Sequence, residues 1–237
     1  MIEYTKKQTY SYNLPEELIA QHPLEPRDGS KLLVYHRENK KTEHKIFRDI
    51  IDYLKPTDVL VINNSRVIPA RLIGTKQETG ATIEVLLQKR KDLTHWEVVA
   101  KPFKRLKVGT VVKFSDELSL EIVEKHEYGE CIINFIYDGV FEDILNKVGS
   151  MPLPHYIKEK LKDKERYQTI YSKQEGSSAA PTAGLHWTSE LLDKVKQKGV
   201  QVVEVMLHVG LGTFRPVKDR RGSAAPYKRD NGKQYVS

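Results

Sequence analysis

Between residues 67 and 137 the chain repeats one pattern six times: a short run rich in β-branched and other apolar residues, followed by turn-forming residues. The runs are ARLIGT, ATIEVLLQ, HWEVVAKP, GTVVKF, LSLEIVEK and ECIINFIY. Gly74, Gly80, Gly109 and Gly129 fall among them, and none shows a helical period. Six closely spaced β-rich segments with turns between them argue for a small antiparallel barrel or sandwich.

The flanks have a different texture. Residues 14–19 (LPEELI) begin like a short helix with proline near its first turn, and KLLVY (31–35) reads as a strand. Phe47, Ile50, Ile51 and Leu54 have helical spacing, and Pro56 ends that segment. DVLVI (58–62) is a short buried strand running into the polar turn Asn63, Asn64, Ser65. Beyond the β-rich stretch, residues 141–148 read as a helix closed by Gly149. Thr188 then looks like the N-cap of a helix whose apolar face is Leu191, Leu192 and Val195, with Gly199 at its C-cap. VQVVEVML (200–207) follows as a strand. The expected fold is therefore an α/β domain with an inserted small antiparallel β-barrel domain: residues 1–66 and 150–217 form a discontinuous body and 67–149 form the insert. Residues 218–237 form a tail expected to be disordered.

Charge sharpens this division. The net charge is +7, of which the last twenty residues carry +4. Residues 89–113 carry +6, from Lys89, Arg90, Lys91, Lys101, Lys104, Arg105, Lys107 and Lys113 against Asp92 and Glu97, which leaves −3 for the rest. A basic patch on a slightly acidic body suits phosphate attraction, which acts over about a Debye length of roughly 8–10 Å; solubilising loop lysines are the plainer alternative. One cysteine, Cys131, excludes a disulfide framework and any multi-cysteine zinc site, and its apolar setting marks it as a core residue. The eight histidines show no HxH or HxxxH spacing, so no metal site is expected. No apolar run of about 18 residues and no signal-peptide h-region is present, which points to a cytosolic chain with no membrane partner.

Three polar segments stand out as candidates for chemistry. PRDGSK (26–31) packs an acid and bases around a glycine before a strand, although a turn capped by Asp28 would look the same. GSSAAPTAGLHWT (176–188) is rich in small residues and ends in His186, Trp187 and Thr188 at a helix start. Small residues let backbone approach a ligand, and helix N-termini favour anions. A flexible linker is the alternative, against which stands Pro181 beside the histidine and tryptophan. HVGLGTFRP (208–216) contains Gly210 and Gly212, but Arg215 occupies the third glycine position of a dinucleotide fingerprint, so a Rossmann site is rejected. Strand-end loops of an α/β domain converge on one crevice. Asp28, His186 and His208 are therefore expected to share a pocket walled by Ser177, Ser178, Thr182, Gly210 and Gly212.

In the same segments the chain resembles a known family. LPEELIAQHPLEPRDGSKLL, VLVINNSRVIPARL, MPLPHYI, RYQTIYS, EGSSAAPTAGLHWT and HVGLGTFRPV, in this order, resemble the S-adenosylmethionine:tRNA ribosyltransferase-isomerase family of queuosine biosynthesis. The resemblance covers about residues 8–217. Lys31 departs from the arginine more usual there, and residues 219–237 match nothing in the family's continuation.

The resemblance implies transfer of the ribosyl portion of S-adenosylmethionine to 7-aminomethyl-7-deazaguanine at the tRNA wobble position, giving epoxyqueuosine and releasing adenine and methionine. It assigns proton transfer to Asp28, His186 and His208, and phosphate or carboxylate binding to Arg27, Arg66 and Arg71. Lys89, Arg90, Lys91, Lys104, Arg105 and Lys107 are expected to share one exposed face that meets tRNA. The chain is expected to be a monomer. Lacking the family's continuation, it should expose a strand edge and an apolar face and be weakly active. The rival readings are a methyltransferase using the same donor, which would need a GxG after its first strand, and a non-catalytic RNA-binding fragment.

Overall fold

The computed structural model describes residues 7–159 and 161–210. The chain enters through short 3₁₀ turns and a hairpin, β1 (Lys31–His36) and β2 (Lys41–Ile46). Its tight turn places Lys40 at φ 56°, with the Asn39 carboxamide accepting from Lys41 N–H at 2.9 Å. The helical spacing of Phe47 to Leu54 is realised as a 3₁₀ helix, Phe47–Tyr53. Two strands follow, β3 (Val59–Asn63) and β4 (Ser65–Val67), so the predicted polar turn reduces to Asn64.

The six β-rich runs become β5 (Arg71–Lys76), β6 (Thr82–Arg90), β7 (His95–Lys101), β8 (Val111–Lys113), β9 (Leu118–Lys125) and β10 (Glu130–Tyr137). They close into an antiparallel barrel in the order β10-β7-β6-β5-β8-β9, the barrel form of the two arrangements that their alternation allows. Ile83, Val85 and Leu87 of β6, Val98 and Ala100 of β7, Leu120 and Ile122 of β9, and Cys131 and Ile133 of β10 all point inward with no exposed surface. Helix α1 (Phe141–Val148) caps this core. The Phe141 ring lies 5.1 Å from those of Phe135 and Tyr137 and 5.7 Å from Trp96. Each fully buried aliphatic side chain contributes about 1.5–3 kcal/mol by leaving water. Where the chain enters and leaves the insert, its two arms pair: Arg71 N–H donates to Ser150 O at 3.1 Å and Ser150 N–H to Arg71 O at 2.9 Å.

The rest of the body is α/β but carries no continuous sheet among the described residues. Strand β11 (Gln174–Ser177) runs parallel to β4, and β12 (Gln201–Val205) runs parallel to β3, as separate two-stranded pairs. Between them lies α2 (Ser189–Gln197), whose first turn is capped as expected: Thr188 Oγ1 accepts from Leu191 N–H at 3.1 Å. It ends at Gly199, where φ of +93° suits a residue without a side chain. Leu191, Leu192 and Val195 pack with Phe47, Trp187 and Val200 into a second core. The 218–237 tail and Gly212 lie outside the described residues.

Candidate active site

The loop before β1 is held by Arg27. Its guanidinium donates to the carbonyls of Gln168 at 2.8 Å, Glu165 at 3.0 Å and Leu185 at 3.3 Å, tying the N-terminal loop to two later segments. Burial, then the nearby charge of Arg166, lowers its pKa. Asp28 is ion-paired with Arg48 at 3.2 Å and its side chain is largely covered. Ser30 Oγ donates to Arg27 O at 3.3 Å, so it is free to accept from His186 Nδ1 at 3.1 Å. The His186 ring lies 5.2 Å from Phe47, and its pKa falls below the ordinary value, chiefly through burial and also through Arg166. Asp28 and His186 thus lie on adjacent loops, and His186 is a half-buried, neutral ring at physiological pH.

His208 lies elsewhere. Its exposed imidazole rests against the backbone of Gly176, where φ is +134° and a Cβ would fall 2.9 Å from the ring's Cε1. It lines an open cavity of about 590 Å³ at the junction of barrel and body, to which neither Asp28 nor His186 contributes. The floor is Ile68, Trp96, Phe141 and Leu145; Lys89, Arg90, Glu142 and Glu175 stand around it with His208.

The remaining predicted wall residues divide accordingly. Ser177 and Ser178 are buried and their hydroxyls serve the backbone: Ser177 Oγ donates to Ala179 O at 2.7 Å and accepts from Val209 N–H at 2.9 Å, while Ser178 Oγ donates to Leu87 O at 2.9 Å. They fix the His208 segment to the barrel instead of facing the cavity. Thr182 is exposed at the start of the 3₁₀ turn that leads to His186, and Gly210 is exposed beside His208.

The basic residues fall into two groups along the barrel. Arg90 pairs with Trp96 and Glu84 with Lys101 across β6 and β7, so 89–91 lie at one end of this ladder and 104–107 follow its other end, about 20 Å away at ~3.3 Å per residue. The sequence window spans the length of β7, and a strand carries its two ends apart. The first group is also largely neutralised. Lys91 pairs with Glu97 at 2.8 Å and Arg90 with Glu142 at 2.6 Å. Asp92 caps the β6–β7 turn, accepting from the backbone N–H of His95 and Thr94, which pushes its pKa down to about 2. Arg66 is ion-paired with Glu165, and Arg71 with Glu84 at 3.1 Å.

Two further residues carry the site. Gln168 is buried and behaves as a strand partner, its carboxamide accepting from Val67 N–H at 2.9 Å and donating to Val67 O at 2.8 Å. Asn63 clasps the end of β12 by donating to Leu207 O at 2.8 Å and accepting from Leu207 N–H at 3.1 Å. Both occur in motifs singled out above, but their polar side chains signal a role only once the backbone groups they complete are known. Among the described residues no group of three or more His, Cys, Asp or Glu gathers as metal ligands, and no helix is long and apolar enough to cross a membrane.

The class this architecture defines is an α/β body with an inserted antiparallel barrel and an open, polar-rimmed cavity at their junction. The chain belongs to the queuosine biosynthesis protein family, whose profile matches residues 7–230 and so runs past residue 217, where the resemblance was expected to end. It is 58% identical over 214 residues to an S-adenosylmethionine:tRNA ribosyltransferase-isomerase of Clostridioides difficile (strain 630), covering 90% of this chain and 63% of that protein. A crystal structure of S-adenosylmethionine tRNA ribosyltransferase from Thermotoga maritima is 38% identical, covering 84% of this chain and 58% of that one, with a TM-score of 0.35. The chain thus spans about three-fifths of the length of these relatives.

Proposed function

We propose that the chain takes part in transfer and isomerisation of the ribosyl portion of S-adenosylmethionine onto 7-aminomethyl-7-deazaguanine at the tRNA wobble position. Adenine and methionine leave, and epoxyqueuosine-tRNA forms. The observation that carries this reading is the 58% identity, over 90% of the chain, to the C. difficile protein of that name. S-adenosylmethionine is a substrate here, consumed as ribosyl donor, and tRNA is the partner; the reaction belongs to the cytosol.

The chemistry needs a base for a proton made acidic by the adjacent sulfonium, and an acid for departing adenine. His208 supports the reading best, because it is exposed at an open cavity beside Glu175 and is held in place by Gly176. His186 and Asp28 suit a supporting role. His186 is half-buried and neutral against Ser30, and Asp28 is engaged by Arg48.

The test is product analysis after incubating the purified chain with S-adenosylmethionine and tRNA carrying the precursor base. Adenine release is expected, and His208→Ala should abolish it while leaving tRNA affinity within about twofold. S-adenosylhomocysteine in place of adenine would overturn the reading in favour of methyl transfer. Tight tRNA binding with no donor consumption, even when the rest of the relative's length is supplied, would favour a binding fragment.

A further inference from the structure

Arg90 is held unlike any other cation of the basic window. All three nitrogens of its guanidinium are committed: Nε donates to Asp92 O at 3.0 Å, Nη1 to Glu142 at 2.6 Å and Nη2 to Leu93 O at 3.3 Å. Those bonds fix the plane, and the group lies over two rings, 5.7 Å from the centre of Trp96 and 5.4 Å from that of Phe141. A guanidinium so engaged has little left for gripping a phosphate, where bidentate bonding needs free N–H groups. Its remaining asset is a rigid, flat, cationic surface. Its side chain is 35% exposed and lines the junction cavity, so part of that surface is open to a ligand.

Around the plate the charges complement an RNA base with an ammonium arm. Lys89 is exposed at the rim with no ion pair among the described residues, and Glu175 is exposed across the cavity. Arginine planes and aromatic rings are what RNA-binding surfaces use to hold unstacked bases. The mouth is open, as a base that remains attached to its polymer requires.

We propose that this cavity receives the acceptor nucleotide of the RNA, flipped out of its stack, with its base lying on the Arg90 plate above Trp96 and Phe141. Lys89 meets the flanking phosphate and Glu175 meets the aminomethyl ammonium. The proposal rests on the ribosyl-transfer reading and assigns the Arg90 side of the cavity to the acceptor base, leaving the His208 edge for the donor's reacting end.

The experiment uses Trp187→Phe protein, which leaves Trp96 as the only tryptophan of the two in the chain. It is titrated with an anticodon stem–loop carrying 7-aminomethyl-7-deazaguanine, with the same stem–loop abasic at that position, and with S-adenosylmethionine alone. The modified stem–loop should quench Trp96 and bind roughly tenfold tighter than the abasic one, the loss expected from removing one stacked base. Arg90→Lys keeps the charge but removes the plane, so it should erase that tenfold preference and leave the salt dependence unchanged.

Equal affinity for base and abasic RNA in the unaltered chain, a preference that survives Arg90→Lys, or quenching by S-adenosylmethionine alone would each overturn the proposal. If Trp187→Phe fails to fold, 5-fluorotryptophan in the unaltered chain reports on Trp96 by fluorine NMR. Adenine release measured in parallel separates the two readings. Release without base preference sinks this inference alone; base preference without release sinks only the catalytic reading.

Discussion

Val85 and Val61 are the same residue in strands of one chain, yet Val85 has no exposed surface and Val61 is 58% exposed. The difference lies in how each region ends its sheets. The barrel closes on itself, so every strand has two neighbours and one face turned to a common interior. The body distributes its strands over three two-stranded pairs. On the β3–β12 pair, Leu60 and Val202 face the second core, while Val59, Val61, Val203 and Val205 line the opposite face, between 37% and 58% exposed. Parallel strands are normally covered on both faces, so this valine face differs from the usual parallel pair among the described residues. Closure makes the barrel self-sufficient, whereas the body depends on particular polar clasps to hold its pieces in place.

The largest expected effect is in the barrel. Phe135 is almost fully buried and touches Phe141 at the seam between β10 and α1. Phe135→Ala should cost about 4 kcal/mol in urea unfolding, transfer and cavity terms together. The matched body truncation, Leu192→Ala, should cost less, because Leu192 keeps 7% exposure at the rim of a smaller core. The reverse order would break the contrast.

Next comes the clasp. Gln168→Ala leaves the buried N–H and C=O of Val67 without their side-chain partner, which should cost about 3 kcal/mol. Hydrogen exchange at the Val67 amide, slow in the unaltered chain and fast in Gln168→Ala, reads that loss locally.

The barrel strands were legible because closure preserves strict alternation, which leaves inward Ile83, Val85 and Leu87 separated by less buried neighbours. Strand β2 (KTEHKI) was not legible: it is exposed at five of six positions, and its turn uses Lys40 at positive φ with no glycine to announce it. The candidate site was half legible. Its three loops were found, but their convergence presumed one continuous parallel sheet; β4–β11 and β3–β12 are separate pairs, and the cavity that His208 lines takes in neither Asp28 nor His186. Arg90 was read as a phosphate contact because a sequence shows its charge and conceals Glu142, fifty-two positions away.

Acid should sharpen the comparison. The pKa of His186 is lowered in the folded body, so the unfolded chain, near 6.5, takes up the proton first. This contribution to stability is complete above about 6.5 and is lost as pH falls below it towards the folded value. In the barrel, Asp92 has its pKa depressed to about 2, so its contribution persists above the ordinary carboxylate range and is lost only as pH falls from about 4 towards 2. The body should therefore loosen before the barrel. Amide exchange at α2 and at β9, followed from pH 7.5 to 5, should show protection falling first in α2. His186→Asn should remove that early loss, and an unchanged profile in this variant would show that another group carries it.

The smallest expected effect tests whether the valine face is bare. Val→Thr replaces a methyl by a hydroxyl of nearly the same size, so it reports on burial with little change in volume. At Val85 the hydroxyl would sit in the barrel interior with no partner, at a cost of about 1–3 kcal/mol. At Val61 water can satisfy it, and the strand keeps a β-branched residue, so the change should lie within about 0.5 kcal/mol of zero. Urea midpoints of the two variants read the difference directly. If Val61→Thr costs as much as Val85→Thr, another surface covers the face in solution. A second copy of the chain would then make the unfolding midpoint fall on dilution, because stability gained by association depends on protein concentration. A segment of the same chain folded over the face would leave the midpoint independent of dilution.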